Sequence, residues 1–272
     1  MSLFLQYKTT GLRIALLFLL FVSSSAVLKQ DKGRSVIRSK HDYFTTDNLG
    51  NTYLIKEDEM LKYLANGKFF NRYSNLKLGN ISSVDATNPL KILLFYKDFQ
   101  QIVFLDNQLT SNSENISLEA LGHEQTELVC ASMNNSFWIY DKQNNELTRF
   151  NENSKKIAST GNLKQVLKTE LNPNFMKEHN NYLYLNCPET GIYVFDIFGA
   201  FSKIISIKGL KTFQVNEDIL YYKKDSSLCS YNHKLFEESC KKLRNGEKAL
   251  SVEVNKSRIL VSYQDSVLIE DL

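Results

Sequence analysis

Residues 47–74 read DNLGNTYLIKEDEMLKYLANGKFFNRYS. Asp47-Asn48-Leu49-Gly50 has turn chemistry: Asp and Asn hydrogen-bond the backbone ahead of them, and Gly accepts positive φ. The run from Thr52 to Ile55 is β-branched, aromatic and aliphatic, as a strand requires. A charged turn, Lys56-Glu57-Asp58-Glu59, separates it from a second apolar run at 60–64. Ala65-Asn66-Gly67-Lys68 then signals a hairpin, because Asn-Gly tolerates the φ values of tight two-residue turns. A further strand follows.

The same unit recurs to the C-terminus. Its marker strand appears at 51–55 (NTYLI), 91–96 (KILLFY), 137–140 (FWIY), 182–185 (YLYL), 219–222 (ILYY) and 259–263 (ILVSY). From Tyr53 through Leu93, Trp138, Leu183 and Leu220 to Leu260, the steps are about 37 to 45 residues. A repeat of that length marks propellers and solenoids. A short strand precedes each marker, at 43–45, 81–84, 128–132, 175–177, 212–215 and 250–254. A polar turn and another strand follow each, at 60–64, 102–105, 147–150, 192–195, 228–231 and 267–269. Several units add a fourth strand. Six four-stranded antiparallel units predict an all-β, six-bladed β-propeller over residues 42–272. The last unit lacks its fourth strand, and the apolar alternation at 35–39 is expected to supply it. That closes the ring with an N-terminal strand drawn from residues 27–41 and removes an exposed sheet edge.

The first 26 residues read as a signal peptide. Lys8 and Arg13 precede the apolar run 14–22 (IALLFLLFV), and Ser24-Ser25-Ala26 offers small residues for cleavage. Nine strongly apolar residues fall short of the roughly 20 that span a bilayer. The expected location is therefore periplasmic or secreted, with membrane association only if the segment stays attached. The net charge is +3, and no Lys/Arg block provides a nucleic-acid footprint. An exported chain can oxidise its cysteines. Cys229 and Cys240 flank a hairpin loop and could face each other at disulfide distance, although all four cysteines could equally be small buried hydrophobes.

The chain carries no nucleophile elbow, phosphate loop or zinc motif, and its four histidines stand apart. His179 and His233 read as solvated turn residues. The most regular polar feature is the turn after each marker strand, which is expected to lie on the same face as the connections between blades. Tyr96, Tyr140, Tyr222 and Tyr263 stand just before four of these turns, and Asp98, Asp141, Glu189, Asp225 and Asp265 lie in them. These nine residues are the candidate binding set. Carboxylates converging from several blades could hold Ca²⁺, whereas the plainer reading makes them solvated turn charges and the tyrosines interblade packing. The long connections at 113–126 and 161–173 are the other places where function is expected.

At 47–54 (DNLGNTYL) the chain resembles the repeat of NHL- or TolB-like six-bladed propellers. Residues 191–196 (GIYVFD) with Phe198-Gly199 look like a second copy. The Asn-, Lys- and Ile-rich composition with an export signal is similar to cell-envelope propellers of AT-rich bacteria such as Bacteroidetes. The resemblance implies the fold and leaves function open. The favoured expectation is a non-catalytic binding scaffold of the bacterial envelope, with an envelope protein or a glycan as partner. The alternative is a divalent-metal-dependent, lactonase-like hydrolase working in the channel.

Overall fold

The computed structural model describes residues 33–111 and 113–272; the expected signal segment lies outside them. Six four-stranded antiparallel sheets form the blades of a propeller. Blade 1 comprises Tyr43–Thr46, Thr52–Lys56, Glu59–Tyr63 and Phe69–Ser74. Blade 2 comprises Ser83–Asp85, Ile92–Tyr96, Gln101–Leu105 and the short Ile116–Ser117. Blade 3 is built from Thr126–Ala131, Phe137–Asp141, Glu146–Phe150 and Lys156–Asn162. Blade 4 uses Phe175–His179, Tyr182–Cys187, Gly191–Asp196 and Phe201–Ile205. Blade 5 uses Gln214–Asn216, Ile219–Lys224, Ser227–Asn232 and Glu237–Lys242. Blade 6 takes Ser251–Asn255, Arg258–Tyr263 and Ser266–Asp271 from the C-terminal end, and Arg34–Arg38 as its outer strand. The closing register pairs Val36 with Leu268 and Ile37 with Val267, as the alternation at 35–39 anticipates.

The marker strands read as continuous apolar runs because both of their faces are buried. All five residues of Ile92–Tyr96 and of Phe137–Asp141 are buried. Successive side chains point to opposite faces of a strand, so each marker strand serves two interfaces. Ile92, Leu94 and Tyr96 pack with Tyr53, Ile55 and Met60 between blades 1 and 2. Leu93 and Phe95 turn the other way, to Phe137, Ile139 and Phe150 of blade 3. Trp138, Tyr140, Leu183 and Leu185 join blades 3 and 4. Tyr184, Ile192, Leu220 and Tyr222 join blades 4 and 5, and Leu228, Ile259 and Val261 join blades 5 and 6. Ile37, Phe44, Leu54, Leu260 and Val267 complete the circle. The core is thus six interblade wedges. The first strands of neighbouring blades approach one another around the axis. The fourth strands face outward; all six residues of Glu237–Lys242 are exposed.

The turn chemistry is as local as residues 47–74 suggest. Asp47 Oδ1 accepts the backbone N–H groups of Leu49 and Asn51 at 2.9 Å, and Asp47 Oδ2 accepts the Tyr53 hydroxyl at 2.8 Å. Gly50 provides the left-handed position at φ 91°. Asp106, Asn151 and Asp196 repeat this device between the third and fourth strands of blades 2, 3 and 4, each accepting two N–H groups of its own turn. Cys229 pairs directly with Cys240 across the outer hairpin of blade 5, and the two are disulfide-bonded with Cα atoms 4.1 Å apart. Cys130 and Cys187 are free and buried.

The two long connections are more structural than expected. Residues 113–126 donate Ile116–Ser117 as the outer strand of blade 2. Residues 161–173 finish the outer strand of blade 3 and then form a helix, Leu163–Leu167, whose Leu163 is buried against the blade 3–4 wedge.

Candidate functional site

An antiparallel blade has two ends. One end, which we term the connection face, carries the second-to-third-strand turns and the links between blades. The other, the hairpin face, carries the first-to-second-strand and third-to-fourth-strand turns. The nine residues proposed from sequence belong to the connection face and do not come together. Tyr96, Tyr140 and Tyr222 are buried in three different wedges. The Tyr140 hydroxyl donates to Asn145 Oδ1 at 3.2 Å, that of Tyr222 donates to Glu238, and that of Tyr263 donates to the Arg244 carbonyl at 2.8 Å. Asp141 is buried and accepts from His123 Nδ1 at 2.7 Å, from Asn144 N at 3.0 Å and from Asn144 Nδ2 at 2.8 Å. Burial opposes its charge, but these donors hold its carboxyl below the usual range. Asp98, Glu189, Asp225 and Asp265 are exposed on the turns of blades 2, 4, 5 and 6. Those turns join the second and third strands of their blades and not the first strands around the axis, so the expected convergence on the channel does not occur. Among the described residues, the one grouping of three ligand-type side chains is Cys229, Glu238 and Cys240, whose two sulfurs are bonded to each other. The carboxylates of the blade turns therefore do not converge on one point among the described residues.

The histidines also differ from expectation. His233 is buried rather than solvated, with Nδ1 2.9 Å from Lys203 Nζ and Nε2 3.4 Å from the Tyr184 hydroxyl. His179 ends a strand and is half-buried; its Nε2 accepts the Glu217 N–H at 3.0 Å. Burial lowers the proton affinity of both rings, and the nearby Lys203 and Lys177 lower it further.

The hairpin face carries a second candidate. A cleft of about 510 Å³ opens between the first turns of blades 2, 3 and 4. Thr87 and Asn88 line it from blade 2, Ser132 to Ser136 from blade 3, and Glu178 to Asn181 from blade 4. Phe104 and Lys91 close the blade 2 side, with Lys91 Nζ 4.4 Å from the Phe104 ring centroid. Asn134, Asn135, Asn180 and Asn181 hold φ between 47° and 65°. These are two tight hairpins built on Asn-Asn pairs, since Asn enters the left-handed region more easily than most residues.

A buried ionic network fixes this geometry. The Glu178 carboxylate, from blade 4, accepts the Ser132 hydroxyl, the Met133 N–H at 2.8 Å and Trp138 Nε1 at 2.6 Å, all from blade 3. Arg149 lies 4.0 Å from it and donates to Ser132 Oγ at 2.7 Å and the Met133 carbonyl at 3.3 Å. Nearer the axis, Asp85 of blade 2 accepts from Lys177 Nζ of blade 4 at 2.7 Å and from Ala131 N of blade 3 at 3.0 Å. Burial works against the Asp85 charge, but Lys177 and Thr87 keep its carboxyl below the usual range. Charged hydrogen bonds shared by three blades leave the cleft walls little freedom. Glu253, from blade 6, faces the channel, accepting from Thr46 Oγ1 at 2.6 Å and Gln214 Nε2 at 3.0 Å. Burial pushes its carboxyl up to about 7.

The sequence does carry a signal for this cleft. Asn-Asn occurs at 134–135 and at 180–181, at the same point of two neighbouring repeats.

The hairpin face also exposes apolar tips. Leu90 is 72% exposed, Phe198 72%, Leu235 64% and Phe236 76%. Phe236 holds φ 60°, a region that bulky residues rarely adopt. Lys203 Nζ of blade 4, 3.5 Å from the His233 carbonyl, ties the two blades that carry Phe198 and Phe236. The connection face exposes Leu76, Phe99, Val166 and Leu250.

No family model matches the chain, and no curated protein matches it in sequence. Solved structures of similar fold include virginiamycin B lyase from Staphylococcus aureus, in a catalytically inactive form with quinupristin. It is 11% identical with a TM-score of 0.57, over 84% of this chain and 79% of that one. BBS1N in complex with ARL6DN is 11% identical with a TM-score of 0.52, over 84% and 76%. YCF48 bound to D1 peptide is 8% identical with a TM-score of 0.53, over 89% and 97%. At these identities the likeness is one of fold: the chain is a six-bladed β-propeller.

Proposed function

We propose that this propeller is an interaction scaffold that engages a polypeptide partner through its hairpin face. The observation that carries the reading is the pairing, on one face, of a preorganised cleft with the exposed tips of Phe198, Leu235 and Phe236. The positive φ of Phe236 closes its turn, at the position that Leu109 and Gly199 hold in blades 2 and 4, while its ring is left in solvent. Exposed aromatic anchors beside a rigid polar rim are what protein interfaces use. Two propellers of similar fold, BBS1N and YCF48, were solved with a protein and a peptide bound, which is in keeping with this use of the fold.

The scaffold is proposed to act outside the cytoplasm, in a bacterial envelope, as a propeller of NHL- or TolB-like type. The apolar segment 14–22 behind Lys8 and Arg13 and the Cys229–Cys240 bond support export, since such bonds persist in oxidising compartments. The test is capture of cross-linked partner from the source cells with the native chain and with a Phe198→Ser/Phe236→Ser variant. Loss of a stoichiometric partner in the variant, with an unchanged unfolding midpoint, is expected. Undiminished capture would overturn the assignment of the face.

A further inference from the structure

Resting on that reading, we infer that the cleft between blades 2, 3 and 4 takes an extended polypeptide segment bearing a carboxylate. Its acidic walls are already committed. Glu178 is occupied by Ser132, Met133 N and Trp138, and Asp85 by Lys177, Thr87 and Ala131 N. Glu152, outside the lining, takes Asn135 Nδ2 at 3.3 Å. What faces the open space is rich in donors. Lys91 Nζ bonds the Asn135 carbonyl at 3.1 Å, which leaves it protons to give. His179 uses Nε2 as acceptor for Glu217 N–H, so its neutral ring carries the proton on Nδ1. A carboxylate entering beside Lys91 and His179 meets an ammonium and an N–H group, with Glu152 the acid near Lys91 and Glu217 and Asp218 those near His179.

The remaining lining chooses among carboxylate-bearing ligands. Asn134, Asn180 and Asn181 each offer a donor and an acceptor, Asn88 adds its amide N–H and Asn135 its amide oxygen, matching the alternating N–H and C=O groups of an extended backbone. Exposed Met133 within the cleft and Leu90 beside it give apolar side chains a place to pack. A sugar would want an open aromatic face, and the Phe104 ring already has the Lys91 ammonium over it. A polypeptide is therefore the occupant that the cleft fits.

The test uses the purified full chain and a random twelve-residue peptide display library, followed by fluorescence anisotropy with an enriched peptide. Enriched peptides are expected to share an Asp or Glu, and alanine at that position is expected to weaken binding at least tenfold, as loss of a charged hydrogen bond does. Lys91→Met keeps the stem over Phe104 and removes the charge; it should weaken the acidic peptide about tenfold and leave its alanine analogue unchanged. Asn181→Gly keeps the left-handed turn while deleting the amide, and should weaken both peptides. Phe236→Ser should bind the short peptide as the native chain does. Peptides without a shared acid, binding indifferent to Lys91→Met and Asn181→Gly, or enrichment of glycans on an array in place of peptides would each overturn the inference. If peptides fail while partner capture remains sensitive to Phe198→Ser/Phe236→Ser, the cleft inference falls and the scaffold reading stands.

Discussion

Glu178 shows how one residue ties the site to the fold. Its side chain is 6% exposed and that of Arg149 is 8% exposed, so neither charge has water to fall back on. Removing one partner of a buried pair leaves the other uncompensated, which typically costs about 3–5 kcal/mol. Glu178→Ala is expected to lower stability by that order in urea unfolding and to loosen the Ser132–Ser136 turn, read as faster amide exchange at Met133. Glu253 makes a prediction in pH. Its carboxyl stays protonated in the folded chain up to about 7, well above the 4.5 at which it ordinarily titrates. Between those values the folded state binds the extra proton, so this group's contribution to stability falls as pH rises and is flat above about 7. Glu253→Gln should therefore gain on the native chain between pH 5 and pH 8; an unchanged difference would place the carboxyl elsewhere. Asp85 and Asp141, with depressed values, act with the opposite sign and only at acid pH.

At the scale of elements, two covalent and topological staples hold the most exposed parts. Reducing Cys229–Cys240 frees an outer hairpin closed over about a dozen residues, which the loop-entropy relation values at about 3 kcal/mol. Cys240→Ser should show a loss of up to that size in the unfolding midpoint, and local exchange should rise along Glu237–Lys242. The Arg34–Arg38 strand is the second staple, with Ile37 buried among Phe44, Leu54 and Leu260. Ile37→Ala should cost about 2–4 kcal/mol as a buried truncation. Ile37→Asp should open the edge of Ser266–Asp271 and produce oligomers in sedimentation. The strand pattern was legible because Trp138, Leu183 and their counterparts recur in register, and the interblade wedges follow from period-two alternation within those same runs. The site was not legible by that route. Tyr96, Tyr140 and Tyr222 repeat because packing repeats, so regularity pointed at the core. Glu178, Arg149 and Asp85 lie on three blades, 29 to 93 residues apart, and no local spacing joins them.

For the whole molecule, we propose that a closed ring of six wedges presents one working face. The ring confers rigidity, and the turns at 87–90, 132–136, 178–181, 196–200 and 232–236 confer identity. The most direct measurement places a photo-crosslinking amino acid singly at Met133, Phe198 and Phe236 on the hairpin face, and at Leu76, Phe99 and Val166 on the connection face, in the source cells. One adduct of common mass is expected from the first three positions and none from the second three. The same adduct from Leu76, Phe99 or Val166, with none from Phe198 or Phe236, would contradict it.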